Sequence, residues 1–247
     1  MLRLSKLLLL GLLTLLTGCA STPEELPDRP IAELYASAQQ LLQEKEFREA
    51  IKQLEAIDSR YPYGPYTSQV HLDLLYAYYQ AYEWALAQTM SERFMRLNST
   101  HPQMDYVLYL RALTALAIDD NALQRLCNID RAERDNQSIQ QAFQVFKTLI
   151  VQYPNSPYAA AAWRQLLRIK NYLARYELAV ANHYHQREAY VAVANRVTDL
   201  LTRFPDTLTT RQALPLLQHA YQKLKRDASA KQVERLRQAN PPVPLSR

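Results

Sequence analysis

Glycine is nearly absent from this chain of 247 residues, which contains only Gly11, Gly18 and Gly64. Loops that cradle a phosphate or a dinucleotide need several closely spaced glycines, and tight β-hairpin turns also rely on glycine. The composition therefore excludes nucleotide-binding loops and disfavours hairpin-rich β folds. Because alanine, leucine, glutamine and arginine are abundant instead, it favours a helical chain.

Strong charge and catalytic motifs are also missing. The net charge of +5 is mild, and no basic run of the kind that follows a nucleic acid is present. None of the five histidines is paired at the i, i+4 spacing that lets a helix bind a metal, and no nucleophile lies in a recognisable catalytic motif. We therefore expect neither an enzyme nor a metal site, and no cofactor.

The start of the chain has the pattern of a bacterial lipoprotein signal. Two basic residues precede an apolar stretch over residues 7–16, which is too short to span a bilayer. Leu16-Thr17-Gly18-Cys19 then matches a lipobox. We expect cleavage before Cys19, which would carry N-palmitoyl and S-diacylglycerol groups; the alternative is an ordinary secretory signal. Ala20, in place of an aspartate, favours sorting to the outer membrane, with the protein facing the periplasm.

An internal repeat organises the rest of the chain. Three segments carry apolar residues at offsets 0, 3, 4, 7 and 10 and a proline at offset 15. These offsets place the apolar side chains on one face of a helix, and the proline ends that helix. The three segments run from Phe47 to Pro62, from Ile139 to Pro154 and from Tyr190 to Pro205. A degenerate copy has Trp84 at its start and Ser99 at the proline position, and a weak fifth copy contains Ala230.

Each copy follows another amphipathic segment, so the repeating unit is predicted to be a helix pair. The small residue twelve positions before the proline is typical of the tetratricopeptide repeat, which has a period of about 34 residues. We therefore predict an all-α tetratricopeptide-repeat superhelix of about five helix pairs. Two of the steps between copies are longer than this period, and we interpret residues 157–187 as one unusually long helix.

The resulting domain organisation has six parts. They are a signal peptide (1–18), a lipidated cysteine with an extended tether (19–30), N-terminal repeats (31–118), a polar insertion (119–137), C-terminal repeats (138–240) and a disordered tail (241–247). With Cys19 committed to lipid, Cys127 has no partner for an internal disulfide, and we interpret it as a small apolar residue.

Tyrosine is abundant, and seven of the 17 tyrosines lie between Tyr61 and Tyr82. We expect Tyr78 and Tyr82 to belong to the repeat core. The segment 63–66 has the composition of a turn, where the core does not need an aromatic ring. Because tyrosine combines an apolar face with a polar tip, it suits the peptide-binding grooves of repeat proteins. The predicted groove residues are Tyr61, Tyr63, Tyr66, Tyr76 and Tyr79.

Several blocks of sequence together resemble the BamD family, the lipoproteins of the β-barrel assembly machinery. The blocks are Tyr-Pro-Tyr-Gly-Pro-Tyr at 61–66, Gln-Val-His-Leu-Asp-Leu at 69–74, Tyr-Ala-Tyr-Tyr at 76–79, Tyr-Pro-Asn-Ser at 153–156 and Asn-Arg at 195–196. The chain departs from the family at Ser99, where a proline is common, and at Glu188, where a glycine is usual.

This resemblance implies a non-catalytic scaffold at the inner face of the outer membrane. The N-terminal half would recognise the C-terminal segment of unfolded outer-membrane proteins, and the C-terminal half would bind the periplasmic domains of BamA. BamC and BamE would be further partners. Asn195 and Arg196 match the family segment near the BamA contact. The alternative is another outer-membrane repeat lipoprotein, such as a pilus-assembly pilotin.

Overall fold

A computed structural model of the protein describes residues 29–119 and 137–240. The signal peptide, the lipid site at Cys19, most of the tether, most of the polar insertion with Cys127, and the tail at 241–247 lie outside the described residues. The predictions made for these segments, and the division into two functional halves, stay predictions.

All regular structure within the described ranges is α-helical. The ten helices are α1 (Ile31–Gln43), α2 (Phe47–Arg60), α3 (Thr67–Gln80), α4 (Trp84–Leu97), α5 (Met104–Asp119), α6 (Gln137–Gln152), α7 (Ala159–Gln186), α8 (Tyr190–Arg203), α9 (Leu208–Lys223) and α10 (Asp227–Ala239). Each helix packs against the next, α3 also contacts α5, and α7 also contacts α9. These contacts stack five helix pairs into a solenoid, which confirms the predicted all-α fold.

Small residues allow the two helices of each pair to approach closely. The slot that the repeat pattern reserves for a small residue holds a fully or almost fully buried side chain in all five pairs: Ala50, Ala87, Ala142, Val193 and Ala230. In α2, α6 and α8 the apolar residues at offsets 7 and 10 are buried on the same helix face, and in α4 these offsets hold the buried Ser91 and Phe94. Phe94 and Phe146 are among the largest side chains of the core. The helical period read from the sequence therefore determines which face of α2, α4, α6 and α8 packs inward. In α10 the same offsets hold exposed charged residues, and the buried residues are Ala230 and Val233.

The two tyrosines expected in the core behave differently. Tyr78 is buried in α3, and its hydroxyl donates to Glu55 Oε1 at 2.6 Å. Tyr82, by contrast, is 75% exposed, so the expectation that it is a core residue is wrong. The reason is that α3 ends at Gln80, and Tyr82 lies in the turn to α4 rather than on the buried face of the helix.

The turns inside four of the helix pairs share one backbone geometry. Lys45, Tyr82, Glu188 and Lys225 have φ of 64°, 66°, 55° and 56°, which is the left-handed region that usually requires glycine. At Glu188 the backbone N–H donates to His185 O at 3.0 Å, and the next N–H, of Ala189, donates to Tyr184 O at 3.0 Å. This is the Schellman arrangement of a helix C-terminus, made here without glycine.

The longest element is α7, with 28 residues, and it confirms the predicted long helix. At 1.5 Å per residue it extends about 42 Å. Within the described ranges, none of the helices combines the length and the apolar character that crossing a membrane requires.

Candidate functional site

A groove lies between the first helices of the first three pairs and the start of α7. Its volume is about 500 Å³. The residues that line it are Gln39, Leu42, Gln43, Lys45, Gln69, Leu72, Asp73, Tyr76, Gln103, Tyr106 and Tyr158. Because α1, α3 and α5 are successive equivalent helices of the solenoid, the groove runs across three repeats and suits an extended ligand.

Glutamines provide much of the polar lining. Gln39 and Gln43 come from α1, Gln69 from α3, and Gln103 from the residue before α5. A side-chain amide has both donor and acceptor atoms, so it can pair with either the N–H or the C=O of a peptide backbone. Such a lining can hold a main chain without requiring particular side chains.

Asp73 lies on the α3 face of the groove. Its Oδ2 accepts from the Tyr35 hydroxyl at 2.6 Å and from the Gln39 amide, while its Oδ1 accepts from Gln69 Nε2 at 3.1 Å. Burial raises the pKa of the Asp73 carboxyl, and the three hydrogen bonds oppose that shift. All three donors are neutral, so the groove contains a partly buried carboxylate whose hydrogen-bonding partners carry no charge.

Tyrosines form one wall of the groove. The rings of Tyr106 and Tyr158 are 5.6 Å apart, and Tyr158 also stacks on Tyr109 at 5.0 Å with an interplanar angle of 20°. Burial, followed by the nearby Tyr158, raises the pKa of Tyr106, so its hydroxyl stays protonated at neutral pH. The wall therefore offers aromatic surface together with neutral hydroxyl groups.

The structure brings one of the five predicted groove residues into this cavity. Tyr76 lines it and packs edge-on against Phe47 at 5.9 Å. Tyr66 does not line it, but its ring packs at 5.0 Å and a tilt of 32° against Tyr35, which donates to Asp73.

The other three predicted residues are not among those that line the groove. Tyr61 follows the last residue of α2 and is partly buried against the core. Tyr63 is 99% exposed in the turn between α2 and α3. Tyr79 packs against Trp84 at 5.4 Å.

Sequence reasoning missed most of the polar lining. On α3, Gln69, Asp73 and Tyr76 lie three or four residues apart, so the sequence could have shown that they share a helix face. Gln39, Tyr106 and Tyr158 come from three other segments, and no signal in the sequence links these segments to α3.

In the second half of the chain, Arg196 belongs to a charged cluster between α7 and α8. Its Nη1 donates at 3.2 Å to Oε2 of Glu177, a residue whose side chain is only 8% exposed. Arg203 approaches the other oxygen of Glu177 at 3.6 Å. The Arg196 side chain remains 44% exposed, and the neighbouring Asn195 is exposed. The two predicted partner-binding residues therefore lie together on an accessible surface of α8.

No group of three or more metal-ligating side chains lies close together in residues 29–119 and 137–240.

Comparison with known proteins identifies close relatives of the chain. A family model described as "YfiO: Outer membrane lipoprotein" matches residues 27–236. The outer membrane protein assembly factor BamD of Vibrio cholerae is 47% identical over 93% of this chain and 95% of its own length. The protein of the same name from Haemophilus influenzae is 37% identical over 96% of this chain and 91% of its own length. The protein of the same name from Neisseria meningitidis serogroup A is 36% identical over 87% of this chain and 80% of its own length.

Among solved structures, a putative kinesin light chain from Podosopora anserina with TPR-like repeats aligns with 86% of this chain and 96% of its own. The sequence identity is 14% and the TM-score is 0.40.

Proposed function

The chain belongs to the BamD family of outer-membrane lipoproteins, and from that premise we propose that it is a non-catalytic scaffold of the β-barrel assembly complex. In this proposal a lipid on Cys19 anchors it to the periplasmic face of the outer membrane. Its N-terminal repeats recognise segments of unfolded outer-membrane proteins, which are its clients. Its C-terminal repeats dock onto BamA, with BamC and BamE as further partners. Family membership favours this function over that of a pilus-assembly pilotin.

The groove across the first three repeats is the observation that carries the client-binding proposal. Its glutamine amides can pair with an extended main chain, while Tyr76, Tyr106 and Tyr158 offer flat aromatic surfaces to apolar side chains. Strands of outer-membrane barrels alternate apolar and polar residues. An extended client segment would therefore present one apolar row to the tyrosines without needing a unique sequence.

Photocrosslinking tests this assignment. A photoreactive residue is introduced at position 76 in the groove, at positions 63 and 66, which do not line it, and at position 151, which is exposed near the end of α6. The purified protein is then illuminated with the C-terminal peptide of a client. We expect adducts from position 76, weaker adducts from 63 and 66, and none from 151. Equal labelling at 76 and 151 would refute the groove assignment.

Arg196 is the residue on which the BamA-docking proposal rests. Glu177 holds one edge of its guanidinium, and the exposed remainder can donate charge-assisted hydrogen bonds to a carboxylate of a partner. We expect Arg196→Ala to weaken co-purification with BamA and to reduce the salt sensitivity of the complex. Arg168→Ala, at an exposed arginine of α7, is the matched control. Unchanged co-purification of the Arg196 variant would remove this residue from the interface.

A further inference from the structure

The charge distribution of the groove suggests a narrower class of ligand, an inference that rests on the proposed client-binding function. Asp73 and Lys45 are the charged residues that line the cavity. Lys45 is an exposed residue in the turn after α1, whereas Asp73 is partly buried on α3. The donors that hold the Asp73 carboxylate are Tyr35, Gln39 and Gln69, and none of them is a cation.

A ligand that covers the groove must remove more water from this carboxylate. Removing a charge from water is unfavourable unless an opposite charge replaces the lost hydration. A neutral side chain above Asp73 would leave that loss uncompensated, and an acidic one would add repulsion. An ammonium or guanidinium group would instead form a charge-assisted hydrogen bond with a carboxylate that is already held in place.

The tyrosine wall lies next to this carboxylate. Asp73, Tyr106 and Tyr158 line the same cavity. In an extended peptide, the side chains of residues i and i+2 lie on the same face, roughly 7 Å apart. A basic side chain above Asp73 therefore places the residue two positions away near Tyr106 and Tyr158, which form an aromatic contact surface.

We propose that the groove selects extended client segments that carry a lysine or arginine two residues from an aromatic side chain, and that Asp73 is the residue that selects the basic group. The specificity comes from charge and spacing and not from a deep side-chain pocket.

Fluorescence anisotropy with three labelled peptides tests the proposal. The peptides alternate phenylalanine and serine and differ at one central phenylalanine position, which becomes lysine, glutamine or glutamate, so that the variable residue has a phenylalanine two positions away on either side. We expect the folded protein to bind the lysine peptide about tenfold more tightly than the glutamine peptide, and the glutamate peptide most weakly. In Asp73→Asn the three affinities should agree within about twofold.

Two further variants separate charge selection from a folding defect. Asp73→Glu keeps the charge and should keep the preference for lysine. Asp199→Asn makes the same change in net charge at an exposed residue of α8 and should also keep it. Equal binding of the lysine and glutamine peptides by the unmodified protein would overturn the proposal, as would a preference that survives in Asp73→Asn. If none of the peptides binds, the groove assignment itself fails, and the selectivity proposal falls with it.

Discussion

The left-handed turn at Glu188 gives a stability prediction that does not depend on any partner. A side chain with a Cβ costs roughly 1–2 kcal/mol in this backbone region. Glycine removes that cost but gives the unfolded chain more entropy, which offsets about 0.5–1 kcal/mol. Because the φ of Glu188 is 55°, we expect Glu188→Gly to stabilise the fold by ~0.5–1 kcal/mol.

Thermal unfolding followed by circular dichroism measures this effect. For a domain of this size the gain corresponds to a rise in Tm of about 1–4 °C. Glu188→Ala is the matched control, since it removes the carboxylate but keeps the Cβ, and it should not raise Tm. The same change at Lys225, whose φ is 56°, should add nearly independently of the first. A lower Tm for Glu188→Gly, or an equal gain for Glu188→Ala, would refute the reasoning.

The remaining predictions concern the core, the groove and the charged cluster. Gly64→Ala should change the free energy of unfolding by less than about 0.5 kcal/mol, because Gly64 has no positive φ and a new Cβ would meet its nearest atoms at an ordinary 3.4 Å. A large loss of stability, measured by urea unfolding, would contradict this. Phe146→Ala should cost about 3–5 kcal/mol in the same assay, since this fully buried ring would leave a cavity, and a loss below about 1 kcal/mol would contradict the core assignment. Burial raises the pKa of Asp73, so the stability linked to its protonated form is fully present below about pH 4, the pKa range of an unfolded aspartate, and is lost as the pH rises through the folded-state pKa. The stability of Asp73→Asn relative to the unmodified protein should therefore increase as the pH rises above about 4, and the opposite trend would refute the assignment. Glu177→Gln should lower the free energy of unfolding by about 1–2 kcal/mol, which is less than for a fully buried ion pair because Arg196 is partly exposed. It should also weaken BamA binding, because Arg196 would no longer be held in position. If stability and binding are both unchanged, Glu177 does not position Arg196.

The repeat architecture could be predicted from the sequence because it depends on local periodicity. The offsets that begin at Phe47, Ile139 and Tyr190 correspond to helices α2, α6 and α8, and the breaker-free stretch before Arg187 corresponds to α7. A helix face is determined by residues three and four positions apart, so one segment of sequence contains all the information needed.

The backbone of the turns was less accessible to sequence reasoning. Glycine usually marks a left-handed residue, yet the only described glycine, Gly64, has no positive φ, while Lys45, Tyr82 and Glu188 do. Tertiary packing of the helix pairs imposes this conformation on residues that disfavour it. Tyr82 was wrongly expected in the core for the same reason. No glycine marks the turn in which it lies, so its spacing from Tyr78 fits the buried face of a helix that has already ended at Gln80.

The groove was predictable only in outline. Tyrosine enrichment between Tyr61 and Tyr82 includes one residue of the lining, Tyr76, but the other tyrosines of this segment do not line the cavity. The lining combines Gln39 of α1, Asp73 of α3 and Tyr106 of α5, which are far apart in the sequence and meet only through the stacking of the repeats.

The central claim is that this groove holds the client segment, and blocking the groove tests it most directly. Gln103 is exposed at the edge of the cavity, so Gln103→Trp should fill the groove without disturbing the core. Gln144→Trp makes the same substitution at an exposed position of α6 outside the groove. The measurement is the affinity of a fluorescent C-terminal client peptide for each protein. We expect Gln103→Trp to weaken binding by about tenfold or more and Gln144→Trp to leave it unchanged. Unchanged affinity in a folded Gln103→Trp protein would contradict the account.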